Sequence, residues 1–519
     1  MERSQAFIEQ IRSGYTTEGE SILLGAAMLD GSPQKEAQVR IPLKTLNRHG
    51  LIAGATGTGK TVTLQLIAEN MCASGIPVLL MDLKGDLSGM AKQGAVNEKI
   101  TERHNTIGIS YESKATSVEF LTLSNEPGAK LRATVSEFGP VLFSKILDLN
   151  DTQSGVVAIL FKYADDKKLP LLDLKDFKAM LQFISGDGKA EIQKEYGNVT
   201  PATTSTILRK VIELESQGAE VFFGETSFDV TDLVRLDSQG RGIASIIRLT
   251  DIQDKPKLFS TFMLCLLAEI YSSFPEAGDL EKPKLCIFID EAHLIFKEAS
   301  KALLDQIESI IKLIRSKGVG IYFCTQNPYD VPDAVLAQLG LKVQHALRAF
   351  TEKDRKAIKK TAENYPISEF YKTDELLTSL GIGQALISAL NEKGIPTPLA
   401  AVHLKAPASR IGVLDQQEIN SVVSSSALIS KYNQVIDRES AYEILNEKLS
   451  EASREESENE KPKKTLKTEK EEKSIIEKMS ENTMVRQVGR TVVREVARGL
   501  LGVLGLGGTT KRKKKSGWF

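Results

Sequence analysis

Residues 48–71 read RHGLIAGATGTGKTVTLQLIAENM, and their reading decides the fold. Leu51–Ala53 is a short apolar run of strand type, Gly54–Gly59 a glycine-rich loop, and Lys60 onward an amphipathic helix. The string GATGTGKT matches GxxxxGK[ST] from Gly54 to Thr61, between a strand and a helix, the context that separates a phosphate-binding loop from a chance match. Glycines let backbone N–H groups turn inward around phosphates, and the helix N-terminus adds partial positive charge. Gly54, Ala55, Thr56, Gly57, Thr58 and Gly59 are therefore candidates to hold ATP. Lys60 is placed to reach the β- and γ-phosphates and the Thr61 hydroxyl to ligate Mg²⁺, and Thr63 is counted with the nucleotide-binding set. A glycine-rich turn without a ligand is the bland alternative, and the agreement of strand, loop and helix stands against it.

Downstream, GIPVLLMDLKGDLSG gives a second strand ending in Asp82 and Asp86, which completes a βαβ unit with a parallel sheet. The sheet resumes at RGIASIIRLT, crosses through KLFSTFMLCLLAEIYSSF and returns as PKLCIFIDEAHLIF. There Asp290 and Glu291 stand at the carboxyl end of a strand, the edge at which open parallel sheets bind ligands. Asp290 is expected to hold Mg²⁺, largely through water, and Glu291 to orient or deprotonate the attacking water. A plain helix cap is the alternative for this pair. His293 completes the letters D-E-A-H, but the Arg-rich motif that the helicase class of that name also needs has its nearest string, QVGR, in the tail at Gln487–Arg490. His293 is accordingly read as a packing or hydrogen-bonding residue.

The expected architecture is α/β, a P-loop NTPase core with a mainly parallel sheet, a helical insertion, a disordered linker and a basic C-terminal helix. The boundaries are a short N-terminal segment at 1–45, the core at 46–100 and 237–410, the insertion at 101–236 and a helical region at 411–450. The strings LKVQHALRAF, GIGQALISAL and TPLAAVHLKA read as edge strands closing the core near Ala408. Residues 451–483 are dense in both charge signs and poor in large apolar residues, so they cannot bury enough surface to offset ordering entropy. In the tail at 484–519, Arg486, Arg490, Arg494 and Arg498 recur every four residues opposite Val485, Val488, Val492 and Val496, before KRKKK and Trp518-Phe519. That tail has three readings: a nucleic-acid contact, an anionic membrane surface, or a return onto the core.

Composition is unremarkable: 519 residues, 41% hydrophobic, with 67 Lys+Arg against 68 Asp+Glu, so net charge argues neither for nor against a nucleic-acid partner. Cys72, Cys265, Cys286 and Cys324 sit in apolar patterns without metal-ligand spacing and read as buried reduced thiols. No uninterrupted apolar run approaches the ~20 residues of a spanning helix, and a cytoplasmic protein is expected.

RHGLIAGATGTGKT, LLMDLKGDLSG, IFIDEAHLIF and RSKGVGIYFCTQNP, in this order, resemble the HerA-like branch of the HerA/FtsK P-loop ATPases. More narrowly, SEFGPVLFSKILDLNDTQSGV with the basic Gly-rich tail resembles a bacterial HerA-like family long described as a domain of unknown function. The resemblance covers nearly the whole chain. It implies a RecA-like motor core, a homo-oligomeric ring, a hexamer, and ATP-driven movement on double-stranded DNA. On that reading Gln326 ends the strand beside Asp290-Glu291 as a sensor of the γ-phosphate or the attacking water. Arg315, at the other end of that strand, reaches a neighbour's γ-phosphate as an arginine finger, with Lys317 as the other candidate and a helix-end role for Arg315 as the alternative. Archaeal HerA has an N-terminal β-barrel that docks a nuclease; with about 45 residues before the P-loop here, a full barrel is not expected, and a nuclease or other protein partner stays open. Arg48 and His49 match the family's pre-loop pattern without an assigned role. The rival to a DNA motor is a nucleotide-gated switch or scaffold ATPase acting on a protein or membrane partner.

Overall fold

The computed structural model describes residues 2–252, 255–297, 301–434, 436 and 439–447. The expected linker at 451–483 and basic tail at 484–519 lie outside them. Contacts divide the chain into two units, one formed by Met1–Ala133 and Leu214–Ile436, the other by Thr134–Glu213 with the described residues 439–447.

The first unit is built on one twelve-stranded sheet: β1 (Ser21–Leu29), β2 (Ser32–Pro42), β3 (Gly50–Ala53), β4 (Val78–Asp82), β5 (Val118–Thr122), β6 (Ala129–Lys130), β7 (Ala244–Arg248), β8 (Leu285–Ile289), β9 (Val319–Thr325), β10 (Leu341–Gln344), β11 (Gln384–Ser388) and β12 (Ala400–Leu404). Their spatial order is β2-β1-β12-β11-β10-β3-β9-β8-β4-β7-β5-β6. From β10 to β6 every pair is parallel, and from β10 back to β2 every pair is antiparallel. β3, β4, β8 and β9 are buried at every position, which is why they read as unbroken apolar runs rather than as alternation.

The helices up to residue 314 are α1 (Glu2–Tyr15), α2 (Lys60–Ala73), α3 (Glu98–Ile107), α4 (Val135–Ile146), α5 (Asp151–Asp166), α6 (Leu174–Ser185), α7 (Lys189–Glu195), α8 (Pro201–Ser216), α9 (Pro256–Ser273), α10 (His293–Lys297) and α11 (Lys301–Ile314). None among the described residues is long and apolar enough to cross a membrane. The P-loop helix α2 departs from the amphipathic expectation, because Thr63 to Glu69 are all buried. Its polar members are matched to chain that returns far downstream. Gln65 donates to the Ser409 hydroxyl at 2.8 Å, and the Glu69 carboxylate accepts the Ala408 and Ser409 N–H groups at 2.7 and 3.1 Å.

Four features differ from the sequence reading. β10 is not an edge strand: it lies between β3 and β11, so LKVQ pairs directly with the P-loop strand. The helical insertion is narrower than 101–236, since β5 and β6 extend the sheet and only Thr134–Glu213 separates as a helical unit. The N-terminal segment is not apart from the core. β1 pairs with β12, and Tyr15 of α1 donates its hydroxyl to the Pro398 carbonyl at 2.7 Å. The sheet unit also runs past residue 410, through helices Gln416–Ser424 and Ala427–Tyr432.

In the helical unit, Asn150 with Gln153 and Asp173 with Asp176 form reciprocal caps that start α5 and α6. Phe143, Phe161 and Phe177 pack at 4.6 to 6.3 Å between ring centres and fill its core. Residues 439–447 add to it through the Tyr442 N–H, which donates to Asp176 at 2.9 Å.

Candidate nucleotide-hydrolysing site

Four neighbouring strands bring the site together. β3 lies between β10 and β9, and β9 lies between β3 and β8. The loops leaving β3, β9, β8 and β4 at their carboxyl ends therefore meet at one edge of the sheet.

The P-loop is anchored where it leaves that edge, the Gly54 N–H donating to the Thr325 carbonyl at 3.3 Å and the Ala55 N–H to the Ala346 carbonyl at 2.8 Å. Gly54 has φ +154, and a Cβ there would stand 2.5 Å from the His345 Cβ, so only glycine fits. The Ala55 carbonyl collects the Thr58 hydroxyl at 2.7 Å and the Lys60 ammonium at 3.2 Å. Lys60 is thus held on its own loop, and burial pushes its pKa down.

Thr63 follows on α2. Its side chain is buried and its hydroxyl lies 2.9 Å from His345 Nε2. At 3.6 residues per turn it stands about 200° around α2 from Thr61.

Asp290 and Glu291 follow β8, 1% and 6% exposed. Asp290 accepts the Glu291 N–H at 2.9 Å, and Glu291 itself takes the left-handed φ of +47, a conformation that costs a residue with a Cβ about 1 kcal/mol or more and recurs at functional sites. Burial raises the Asp290 pKa, with the Lys84 charge opposing. β4 adds Asp82, whose two oxygens accept the Gly85 and Leu87 N–H groups at 2.7 and 3.1 Å and so shape the following loop. Burial, reinforced by the Asp86 charge, pushes Asp82 up to about 7. Burial raises the Asp86 pKa, and the Lys84 charge and the nearby Thr61 hydroxyl oppose the rise.

Lys84, from the same loop, makes an ion pair with Glu291, and His293 Nδ1 approaches the other Glu291 oxygen at 3.2 Å. His293 is therefore a close neighbour of the carboxylate without hydrogen-bonding to it, since that Glu291 oxygen is buried with no hydrogen-bond partner. Sequence reasoning singled out Asp82 and Asp86 in LLMDLKGDLSG but passed over the lysine between them. It also missed Arg103 of α3, whose guanidinium donates to the Gly383, Leu404 and Ile382 carbonyls at 3.0 to 3.2 Å. That staple fixes the Gly383 N–H, which donates to the P-loop Thr58 carbonyl at 3.2 Å.

A divalent cation fits these residues. One oxygen each of Asp290 and Asp86 is buried without a hydrogen-bond partner, and the Thr61 hydroxyl is beside Asp86. Among the described residues no three His, Cys, Asp or Glu side chains form a closed metal cage. That suits Mg²⁺, which keeps waters and takes one or two carboxylates together with substrate phosphates.

β9 ends at Thr325-Gln326 for a local reason. Thr325 donates its hydroxyl to Asp330 at 2.8 Å, which turns the chain, and Gln326 is left exposed at the site edge. Arg315 lies at the opposite end of β9, exposed, where partial burial and the nearby Arg48 charge lower its pKa. Lys317 is engaged instead: its ammonium meets Glu276 at 2.9 Å and lies 5.0 Å from the centre of the Tyr271 ring.

His49 joins this far end to the site. Its Nδ1 accepts the Ile321 N–H of β9 at 3.0 Å, so Nε2 carries the proton and donates to the Ile311 carbonyl of α11 at 2.9 Å. Burial pushes its pKa down to about 4. Native His49 is neutral while the unfolded chain protonates near 6.5, so the stability it contributes is lost as pH falls from 6.5 toward 4. His49→Gln is expected to destabilise the protein at pH 7, and the gap to wild type should narrow by about 2 kcal/mol between pH 7 and pH 5 in urea unfolding. A constant gap would mean that His49 titrates alike in the folded and unfolded chains, and a widening gap that it is held protonated in the native state.

Residues 28–512 match the protein family described as Helicase HerA-like C-terminal. The chain belongs to this family. It is a P-loop ATPase, and its fold is the α/β arrangement of that class. This HerA-like chain is 23% identical over 398 residues to the DNA double-strand break repair helicase HerA of Saccharolobus solfataricus, covering 73% of this chain and 68% of that one. To HerA of Sulfolobus acidocaldarius it is 22% identical over 358 residues, 67% and 64% of the two chains. It thus spans about two thirds of the HerA proteins it matches. Among solved structures, the unbound bacterial conjugative coupling protein TrwBΔN70 superposes with a TM-score of 0.50 at 15% identity, over 78% of this chain and 94% of that one, a likeness of fold.

Proposed function

We propose that the HerA-like chain is a Mg²⁺-dependent cytoplasmic ATPase that works as a ring of identical subunits, six by its family resemblance, and moves along double-stranded DNA. The observation that carries the chemistry is the meeting of P-loop, Asp290-Glu291 and Gln326 at the carboxyl edge of three adjacent strands. Gly54 to Gly59 cradle the phosphates and Lys60 leaves the Ala55 carbonyl for the β- and γ-oxygens. Thr61, Asp290 and, by its orphaned oxygen, Asp86 hold Mg²⁺, which when bound neutralises phosphate charge. Glu291 takes the proton of the attacking water, and Gln326 orients that water or reads the γ-phosphate. Arg315, exposed at the far end of β9, has no route to its own site and serves a neighbour's. The ring reading rests on that separation, and the DNA reading on the curated HerA relatives.

The test is ATP turnover with and without duplex DNA. Stimulation of roughly tenfold or more is expected, and deletion of residues 484–519 should weaken DNA binding and flatten its salt dependence, because each phosphate-neutralising cation steepens that slope. Turnover indifferent to DNA would favour the nucleotide-gated switch or scaffold.

A further inference from the structure

The site contains a second ammonium that the roles above do not use. Lys84 stands in the loop after β4, beside Lys60, Asp86, Asp290 and Glu291. Its backbone is fixed because the Asp82 carboxylate accepts the N–H groups of Gly85 and Leu87. Its side chain is 43% exposed, whereas that of its partner Glu291 is 8% exposed. The anchored root and the half-open head leave a long flexible stem free to change partners while its carboxylate partner stays put. Lys60 presents the same situation, an ammonium resting on a protein oxygen at a site shaped for phosphates.

The Lys84 ammonium occupies one oxygen of Glu291, and the other is buried without a hydrogen-bond partner. Opening the pair would leave both oxygens of Glu291 to the attacking water. The group whose arrival would open it is the γ-phosphate, next to which the attacking water and hence Glu291 must lie, and which outbids one carboxylate in charge.

We propose that Lys84 is a γ-phosphate ligand held in reserve by Glu291: the γ-phosphate takes over its ammonium, and the exchange frees Glu291 for water. This inference rests on the proposed ATPase reading of the site. It makes Lys84 a discriminator between nucleoside triphosphate and diphosphate, and it ties activation of the base to occupancy of the γ subsite.

The experiment is a double-mutant cycle on nucleotide affinity, measured on the full chain with Mg²⁺ and either ADP or the non-hydrolysable AMPPNP, so that turnover does not enter. Lys84→Met is expected to weaken AMPPNP about tenfold and to change ADP less than twofold. Glu291→Gln, which releases Lys84 from its partner, should tighten AMPPNP about fivefold, again sparing ADP. In the double variant the tightening should vanish. If Lys84 only neutralised Glu291, removing Glu291 charge would help AMPPNP as much or more in the absence of Lys84, and that result overturns the proposal. A loss of ADP and AMPPNP affinity in parallel on Lys84→Met overturns it as well, and Lys84→Gln repeats the cycle should the methionine variant fold poorly. Failure of the wild-type chain to bind either nucleotide would instead overturn the ATPase reading beneath it, an outcome distinct from a flat cycle on a protein that binds both.

Discussion

Glu291→Gln is expected to bind ATP at least as tightly as wild type and to turn it over about 10³-fold more slowly, within the range that a positioned general base contributes. The amide keeps the size and the left-handed backbone of residue 291 while losing the charge that accepts a proton. Lys60→Ala should fail earlier, at binding, because it removes the ammonium poised on the Ala55 carbonyl beside the phosphate loop. The two variants separate anchoring from water activation, and they are read by equilibrium binding of a fluorescent ATP analogue followed by single-turnover hydrolysis. Wild-type turnover in Glu291→Gln would remove Glu291 from the role of base and leave Asp290 or a water chain to fill it.

Arg315→Ala is expected to bind ATP normally and to lose 10³-fold or more in turnover, since a finger supplied in trans acts on transition-state charge. Its position makes the result informative. Arg315 and Gln326 stand at opposite ends of β9, so no motion of one arginine side chain brings it to its own γ-phosphate. Lys317 is the less suitable finger because Glu276 and the Tyr271 ring already occupy its ammonium. Mixing Arg315→Ala subunits, which keep a sound P-loop, with Lys60→Ala subunits, which keep a sound finger, should restore part of the activity at the mixed interfaces. Absence of recovery despite co-assembly would return Arg315 to a helix-end role.

The legible part of the fold was the part that repeats a strong local rule. GATGTGKT and LCIFIDEAH announce themselves because a fully buried parallel strand is a run of apolar residues, and the residue that ends it is polar where it leaves the sheet. Short elements escaped. β10 has four residues and β6 two, and neither length nor pattern says whether a neighbour lies on one side or both. Lys84 and Arg103 were illegible for another reason. Each is an ordinary charged residue until folding places it against Glu291 or against carbonyls 280 residues away, and only tertiary contact gives it meaning. His49, one residue before β3, belongs with them: its two bonds reach Ile311 and Ile321.

Movement on DNA is the central claim, and displacement of a third strand from a DNA triplex measures it directly. With ATP and Mg²⁺ the wild-type chain should strip the third strand from the end of a long duplex, with a delay that grows with duplex length, and Glu291→Gln should not. ATP hydrolysis by wild type at full rate, with the third strand left in place at every length, would contradict the account.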